Sequence, residues 1–296
     1  MDPLDKRFDR MLTSIGGLGR WQWLVIFTFF LCIDGVNFYM YQMGYLELVP
    51  KEYFCLYEGS TSVRDEVSCT PADFCGYSEV VSYRPNYALS DSYHNWVEKL
   101  DLECRSAADI GYLGSSTFLG WVITLAFVPR LSDIYGRKWI YVVGMIVQST
   151  GFSVLMFTNQ FWVAIAALFV NGMCCTIRAQ IGILYMMEFM PLAKLPFVGS
   201  FYFLMETFTA LLGVLYFASL SNDWFGYVAV GYSMQICGTI LIIFIPESPK
   251  YLFKKGMILE ASTVLRKIAR VNGANQDLVS FDRVKACFQK PVKTDI

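Results

Sequence analysis

The chain has 296 residues, 55 % apolar and 17 % charged, with a formal net charge of -1 and a mean hydropathy of +0.42. Soluble domains carry about 25 % charged residues, so this composition points to a membrane protein, and 24 Phe, 18 Tyr and 7 Trp exclude a disordered chain. The near-neutral charge excludes a nucleic-acid partner held by bulk basicity; one histidine and no Cys-x-x-Cys pair give no reason to expect a metal or a cofactor.

Residues 1–20 mix Asp2, Asp5 and Asp9 with four basic residues, which suits neither a secretory signal nor an organellar presequence. Six apolar stretches follow, at 21–45, 107–128, 139–157, 161–188, 197–220 and 224–245. Each is long enough to cross about 30 Å of hydrocarbon at about 1.5 Å per residue. None alternates as a barrel strand would, so the expected fold is an all-α membrane protein with a six-helix transmembrane bundle over 21–245.

Between the first two spans lies a long outer loop, 46–106, with eleven Asp and Glu against five Lys and Arg. It contains Cys55, Cys69, Cys75 and Cys104, which read as two disulfides in an oxidising compartment, three connectivities being open. On the opposite side lie 18 of the 24 Lys and Arg. That bias places both termini on the cytoplasmic, or topologically equivalent, side. Asn86 and Asn95 of the loop are not in Asn-x-Ser/Thr sequons, which leaves either the plasma membrane or an internal membrane, the mitochondrial one included. In the tail, 246–296, Ile258, Ala261, Leu265 and Ile268 recur at helical spacing and predict an amphipathic helix, bracing the bundle or lying on the membrane surface.

Asp34, Arg178 and Glu206 fall inside apolar spans. A charge at that depth costs roughly 2.5–3.5 kcal/mol on insertion scales, so each should meet a partner or a wet cavity. Asp34 and Arg178 are expected to pair, with Glu206 neutralising Arg178 from the adjacent span. Asn37 and Gln180, with Tyr39 and Tyr41, are candidate lining. The cluster reads either as a solute or proton site or as an ion network that fixes helix packing. Ser116 and Gly120 read as a helix-packing surface in the second span, and as a face that meets another protein.

Four ordered motifs carry a resemblance: Ile15-Gly16-Gly17-Leu18-Gly19-Arg20-Trp21-Gln22, Trp96-Val97-Glu98-Lys99-Leu100-Asp101-Leu102-Glu103-Cys104, Asp133-Ile134-Tyr135-Gly136-Arg137-Lys138 and Pro246-Glu247-Ser248-Pro249-Lys250-Tyr251-Leu252. Together they resemble the N-terminal six-helix half of a major facilitator superfamily transporter, and more narrowly the organic cation, anion and carnitine transporter family. The resemblance implies alternating-access transport of an organic ion or other small polar metabolite. It also implies a gating cluster of Asp133, Gly136, Arg137 and Lys138, with Glu188 and Glu247 as acidic members; Glu247, just past the end of the last span, is placed to pair with a basic residue such as Arg137. Pro129, Ile134 and Leu168 depart from the family pattern.

Transporters of this kind hold solute between two six-helix halves. The expected partners are therefore membrane lipids, a small organic solute, and a second half supplied by a homodimer copy or another membrane subunit. A non-transporting half kept as an accessory subunit of a larger complex is the alternative. No nucleophile–base pair or phosphate loop points to an enzyme.

Overall fold

The computed structural model describes residues 3–58, 66–76, 79–89 and 92–289. Among the described residues, five helices are long and apolar enough to cross a membrane, or six when one bent pair counts as a single span. The protein is a multi-pass membrane protein, and the expected fold class holds.

α1 (Pro3–Ser14) is amphipathic and buries Phe8, Met11 and Leu12. Gly16 and Gly17, both at positive φ, turn the chain into α2 (Arg20–Met40), the most enclosed span. The first span breaks after Met40 and resumes as α3 (Met43–Leu46), so 21–45 is not one continuous helix.

The long loop between the first two spans folds as a small domain. β1 (Tyr53–Tyr57) pairs antiparallel with β2 (Val67–Cys69) on one side and, beyond the short helix α4 (Pro71–Phe74), with β3 (Val80–Pro85) on the other. Phe74 stacks on Tyr83 and closes against Tyr53. The four loop cysteines form two disulfides, Cys55–Cys69 across β1 and β2 and Cys75–Cys104 across the base of the domain.

α5 (Trp96–Lys99) seats this domain on the bundle. Lys99 Nζ donates to the carbonyls of Leu155 and Met156 at 2.8 and 2.9 Å and lies over the Trp224 ring. A cation on terminal helix carbonyls meets the negative end of the helix dipole. His94 fastens the other edge: its N–H donates to Asn222 O, and its carbonyl accepts from Trp224 N.

α6 (Ala107–Leu125) starts at a capping box between Ser106 and Asp109. It bends by 47° into α7 (Val128–Tyr135). The second span therefore does not end in a simple turn at 128. Pro129 sits in the first turn of α7, where its missing N–H costs nothing, so much of the expected turn is helix.

α8 (Arg137–Phe157) leads to α9 (Phe161–Cys175), a π-helical segment at 176–181 and α10 (Gly182–Met187). The fourth span thus carries a wide turn at Arg178. α11 (Leu195–Ser219) and α12 (Trp224–Phe244) complete the bundle.

Glycines set two close helix approaches. A Cβ on Gly172 would strike the backbone of Thr117, and one on Gly35 would lie 2.7 Å from backbone atoms of Gly231 and Gln235. α6–α9 and α2–α12 therefore pack backbone to backbone, as small residues permit in lipid. Gly120 lies in this α6–α9 contact, against Phe169 and Met173, which corrects the expectation that it faces a separate protein.

The described tail carries α13 (Pro249–Lys254), α14 (Ile258–Asn272) and α15 (Phe281–Gln289), with a 3-10 turn at Gln276–Val279 between the last two. Ala261, Leu265 and Ile268 are fully buried with α1 residues in one core that continues into the bundle, so α14 packs on the helices through this face. Asn272 locks it there: its Nδ2 donates to Ile15 O and Gln22 Oε1, and its Oδ1 accepts from Trp21 N.

Candidate functional site

Two clusters gather most of the residues singled out from the sequence. The first lies within the bundle, between α2, the π-helical segment and α11. Arg178 is only 4 % exposed. Its Nη1 donates to Ile33 O at 2.6 Å and to Asn37 Oδ1 at 3.0 Å, while Nη2 faces Met40 Sδ and Cys175 Sγ. Asn37 turns its amide nitrogen toward both acids, at 3.4 Å from Asp34 Oδ1 and 3.5 Å from Glu206 Oε1. Thr209 adds a hydroxyl to Asp34 at 3.1 Å, and Tyr41 donates to Glu206 at 2.5 Å.

No ion pair joins Arg178 to Asp34 or to Glu206 among the described residues. The expected direct pairing is therefore corrected: Asn37 stands between the guanidinium and the carboxylates. The wide turn of the fourth span directs Arg178 at the carbonyl of Ile33, and a carbonyl exposed to an incoming arginine leaves no mark in the sequence. Gln180, on the same segment, is exposed and outside the cluster. Thr209 and Cys175 were not anticipated. Thr209 follows Glu206 by three residues and so shares its helix face, which was the available signal.

Two buried atoms of this cluster have no partner, Asp34 Oδ2 and Arg178 Nε. Unpaired polar atoms at membrane depth cost several kcal/mol each. The arrangement can take up a donor at Asp34, an acceptor at Arg178, or a proton. Glu206, the twelfth of the 25 residues of α11, is half-buried and opens onto the flank of the bundle.

The second cluster ties together the basic-side ends of α7, α8, α10 and α12. Gly136 has φ of 102° and ψ of 162°, a conformation favouring glycine. A Cβ there would also collide with the Glu247 carboxylate. That carboxylate accepts the N–H groups of Arg137 at 3.1 Å, Lys138 at 3.1 and 3.2 Å and Ser248 at 2.9 Å. An anion on the first N–H groups of α8 satisfies donors that have no intrahelical partner and meets the positive dipole end.

Glu247 thus binds the backbone of Arg137, not its side chain as expected. The guanidinium instead reaches Asp133 at 2.5 Å, Ser132 Oγ at 2.8 Å and Glu188 at 3.3 Å. Tyr185 donates to Pro246 O, and Tyr251 to Ile134 O at 2.9 Å. Lys138 contributes its backbone only; its ammonium lies over Trp139.

Residues 23–293 match the family model described as "Sugar (and other) transporter". The chain belongs to this family, within the major facilitator superfamily. Its members are transporters rather than enzymes. It is 27 % identical to a D-xylose transporter of Levilactobacillus brevis over 161 residues, covering 52 % of this chain and 35 % of that protein. An arabinose-proton symporter of Escherichia coli K12 is 31 % identical over 156 residues, 52 % of this chain and 33 % of the symporter. Solute carrier family 22 member 2 of Rattus norvegicus is 24 % identical over 208 residues, 66 % of this chain and 37 % of that carrier. The matched regions thus span between a third and two fifths of these relatives.

Proposed function

We propose that this protein forms one half of an alternating-access transporter for a small organic ion or other polar metabolite, with a cation favoured. The observation that carries the reading is the buried Asp34 Oδ2 without a partner, beside a half-buried Glu206. Two carboxylates against one guanidinium, which Asn37 and the Ile33 carbonyl already hold, leave a site short of positive charge. An ammonium group would supply it through charge-assisted hydrogen bonds. The acidic outer loop supports the same sign by drawing cations toward the outer mouth.

The flank bearing Glu206 also carries exposed Phe203, Leu204, Phe208 and Leu211. A carboxylate at the middle of a span is too costly to leave against lipid. A second six-helix unit, either another copy or a different subunit, covers this flank and closes the solute site. The second cluster, from Asp133 to Lys138 with Glu188 and Glu247, serves as the basic-side latch whose bonds break and reform as the site changes sides. Both termini then lie on the cytoplasmic-equivalent side, as the Lys and Arg bias requires.

Uptake by proteoliposomes tests the reading. The full chain should accumulate a labelled tetraalkylammonium ion, and Glu206→Gln should abolish accumulation. The names of the D-xylose and arabinose relatives suggest a neutral sugar as the second reading. Uptake of labelled D-xylose, with no tetraalkylammonium uptake, would establish that one instead. A chain that moves neither and copurifies in a large complex would be an accessory subunit.

A further inference from the structure

The lipid-facing side of the bundle carries a feature that neither cluster uses. Two apolar cavities share Val147 and Val170: one of about 400 Å³ between α8 and α9, and one of about 350 Å³ bounded by α6, α7, α8 and the fourth span. Together they run from Trp139, at the basic end of α8, to Val154, near its outer end. Fifteen residues of helix make that path about 22 Å long, more than the depth of one leaflet of a hydrocarbon core about 30 Å thick. Gly144 and Gly151 keep α8 low along the groove, and Ile177 of the π-helical segment reaches its inner wall.

Charge fixes what the groove receives. At its basic end stand Arg130, exposed at the first turn of α7, and Lys138, whose ammonium lies 5.7 Å from the centre of the Trp139 ring. Three acids lie near that end and each is engaged, Asp133 and Glu188 by the Arg137 guanidinium and Glu247 by the N–H groups of Arg137, Lys138 and Ser248. A cationic pair with an exposed tryptophan at the interface, above an apolar trough one tail deep, complements an anionic headgroup and an acyl chain.

We propose that this groove is a binding site for a diacyl phospholipid with an anionic headgroup, drawn from the leaflet on the basic side. One tail lies along α8 and α9 over Val147 and Val170, ending within reach of Ile177. The phosphate sits between Arg130 and Lys138. The site is separate from the solute cluster and stands whether or not the protein transports.

Native mass spectrometry of the detergent-purified full chain tests it, with phosphatidylglycerol and phosphatidylcholine as probes. The parent should retain phosphatidylglycerol with roughly ten- to thirtyfold preference, as two interfacial cations imply. Val147→Trp, an exposed position that the larger ring fills, should lose the bound lipid. Leu211→Trp, at an exposed position on α11 away from the groove, should keep it. The Arg130→Gln, Lys138→Gln double variant should bind both lipids equally. A melting measurement on each variant confirms that it is folded. Equal retention of the two lipids by the parent, unchanged binding in Val147→Trp, or equal loss in Leu211→Trp would overturn the site.

Discussion

Asn37 accepts a hydrogen bond from Arg178 at 3.0 Å across 141 residues of sequence, and this contact joins the arginine of the fourth span to the buried Asp34 and the half-buried Glu206. The amide works because it is two-faced: its oxygen takes the guanidinium proton, and its nitrogen offers two protons to Asp34 and Glu206. An ion pair in its place would fix one acid and leave the other unanswered.

Asn37→Leu should therefore be among the most damaging single changes in the bundle. It strips Arg178, Asp34 and Glu206 of a shared partner at once, and the expected loss is about 3 kcal/mol. Gln180→Leu, at an exposed position on the Arg178 segment, should change stability by less than about 0.5 kcal/mol. Thermal melts of the two variants in detergent compare them; equal melting temperatures would mean that Asn37 is solvated.

Some of this was legible in the sequence. Hydropathy marked the five or six membrane-spanning helices, and the cysteine cluster marked two disulfides, because both follow from composition over long windows. Asp34, Asn37, Arg178 and Glu206 stood out because polar groups in apolar runs are rare. Their connectivity did not, since it depends on the wide turn of the fourth span and on a backbone carbonyl, Ile33, that the letters do not mark. The bend between α6 and α7 does not show in hydropathy, which falls off at 128, while Pro129 is tolerated in the first turn of the helix that follows. Glu247 was matched to the wrong group of Arg137 because side-chain charge is visible in a sequence and a free helix N-terminus is not.

Gly136→Ala should destabilise by more than Glu247→Gln. The alanine meets both an unfavourable φ of 102° and the Glu247 carboxylate, whereas the glutamine keeps an acceptor and loses chiefly charge, about 1 kcal/mol. Adding Glu247→Ala to Gly136→Ala should not restore the parent, since the collision goes but the backbone strain and the lost cap remain. Chemical denaturation of the three variants checks the order.

Lys99 gives a pH dependence with a definite sign. Burial pulls its ammonium down to about 8 from 10.5. Between these values the unfolded chain binds the proton more tightly than the folded one, so stability rises with pH through the window and is flat for this group below about 8. Melting curves from pH 7.5 to 10 should show that rise in the parent. The same series on Lys99→Met should lack that component, and identical slopes would place the ammonium in water.

Non-reducing peptide mapping should recover Cys55 linked to Cys69 and Cys75 linked to Cys104. Any cross-linkage between the two pairs would displace β1 from β2 and contradict the outer domain described above.

The central claim, that Asp34 and Glu206 form a cation site completed by a second unit over the α11 flank, is tested most directly by uptake of a labelled tetraalkylammonium ion into proteoliposomes. The parent should accumulate the ion, and Glu206→Gln should not, while melting close to the parent. Uptake unchanged in Glu206→Gln would contradict the claim, as would a well-folded parent, reconstituted together with its second unit, that admits no cation.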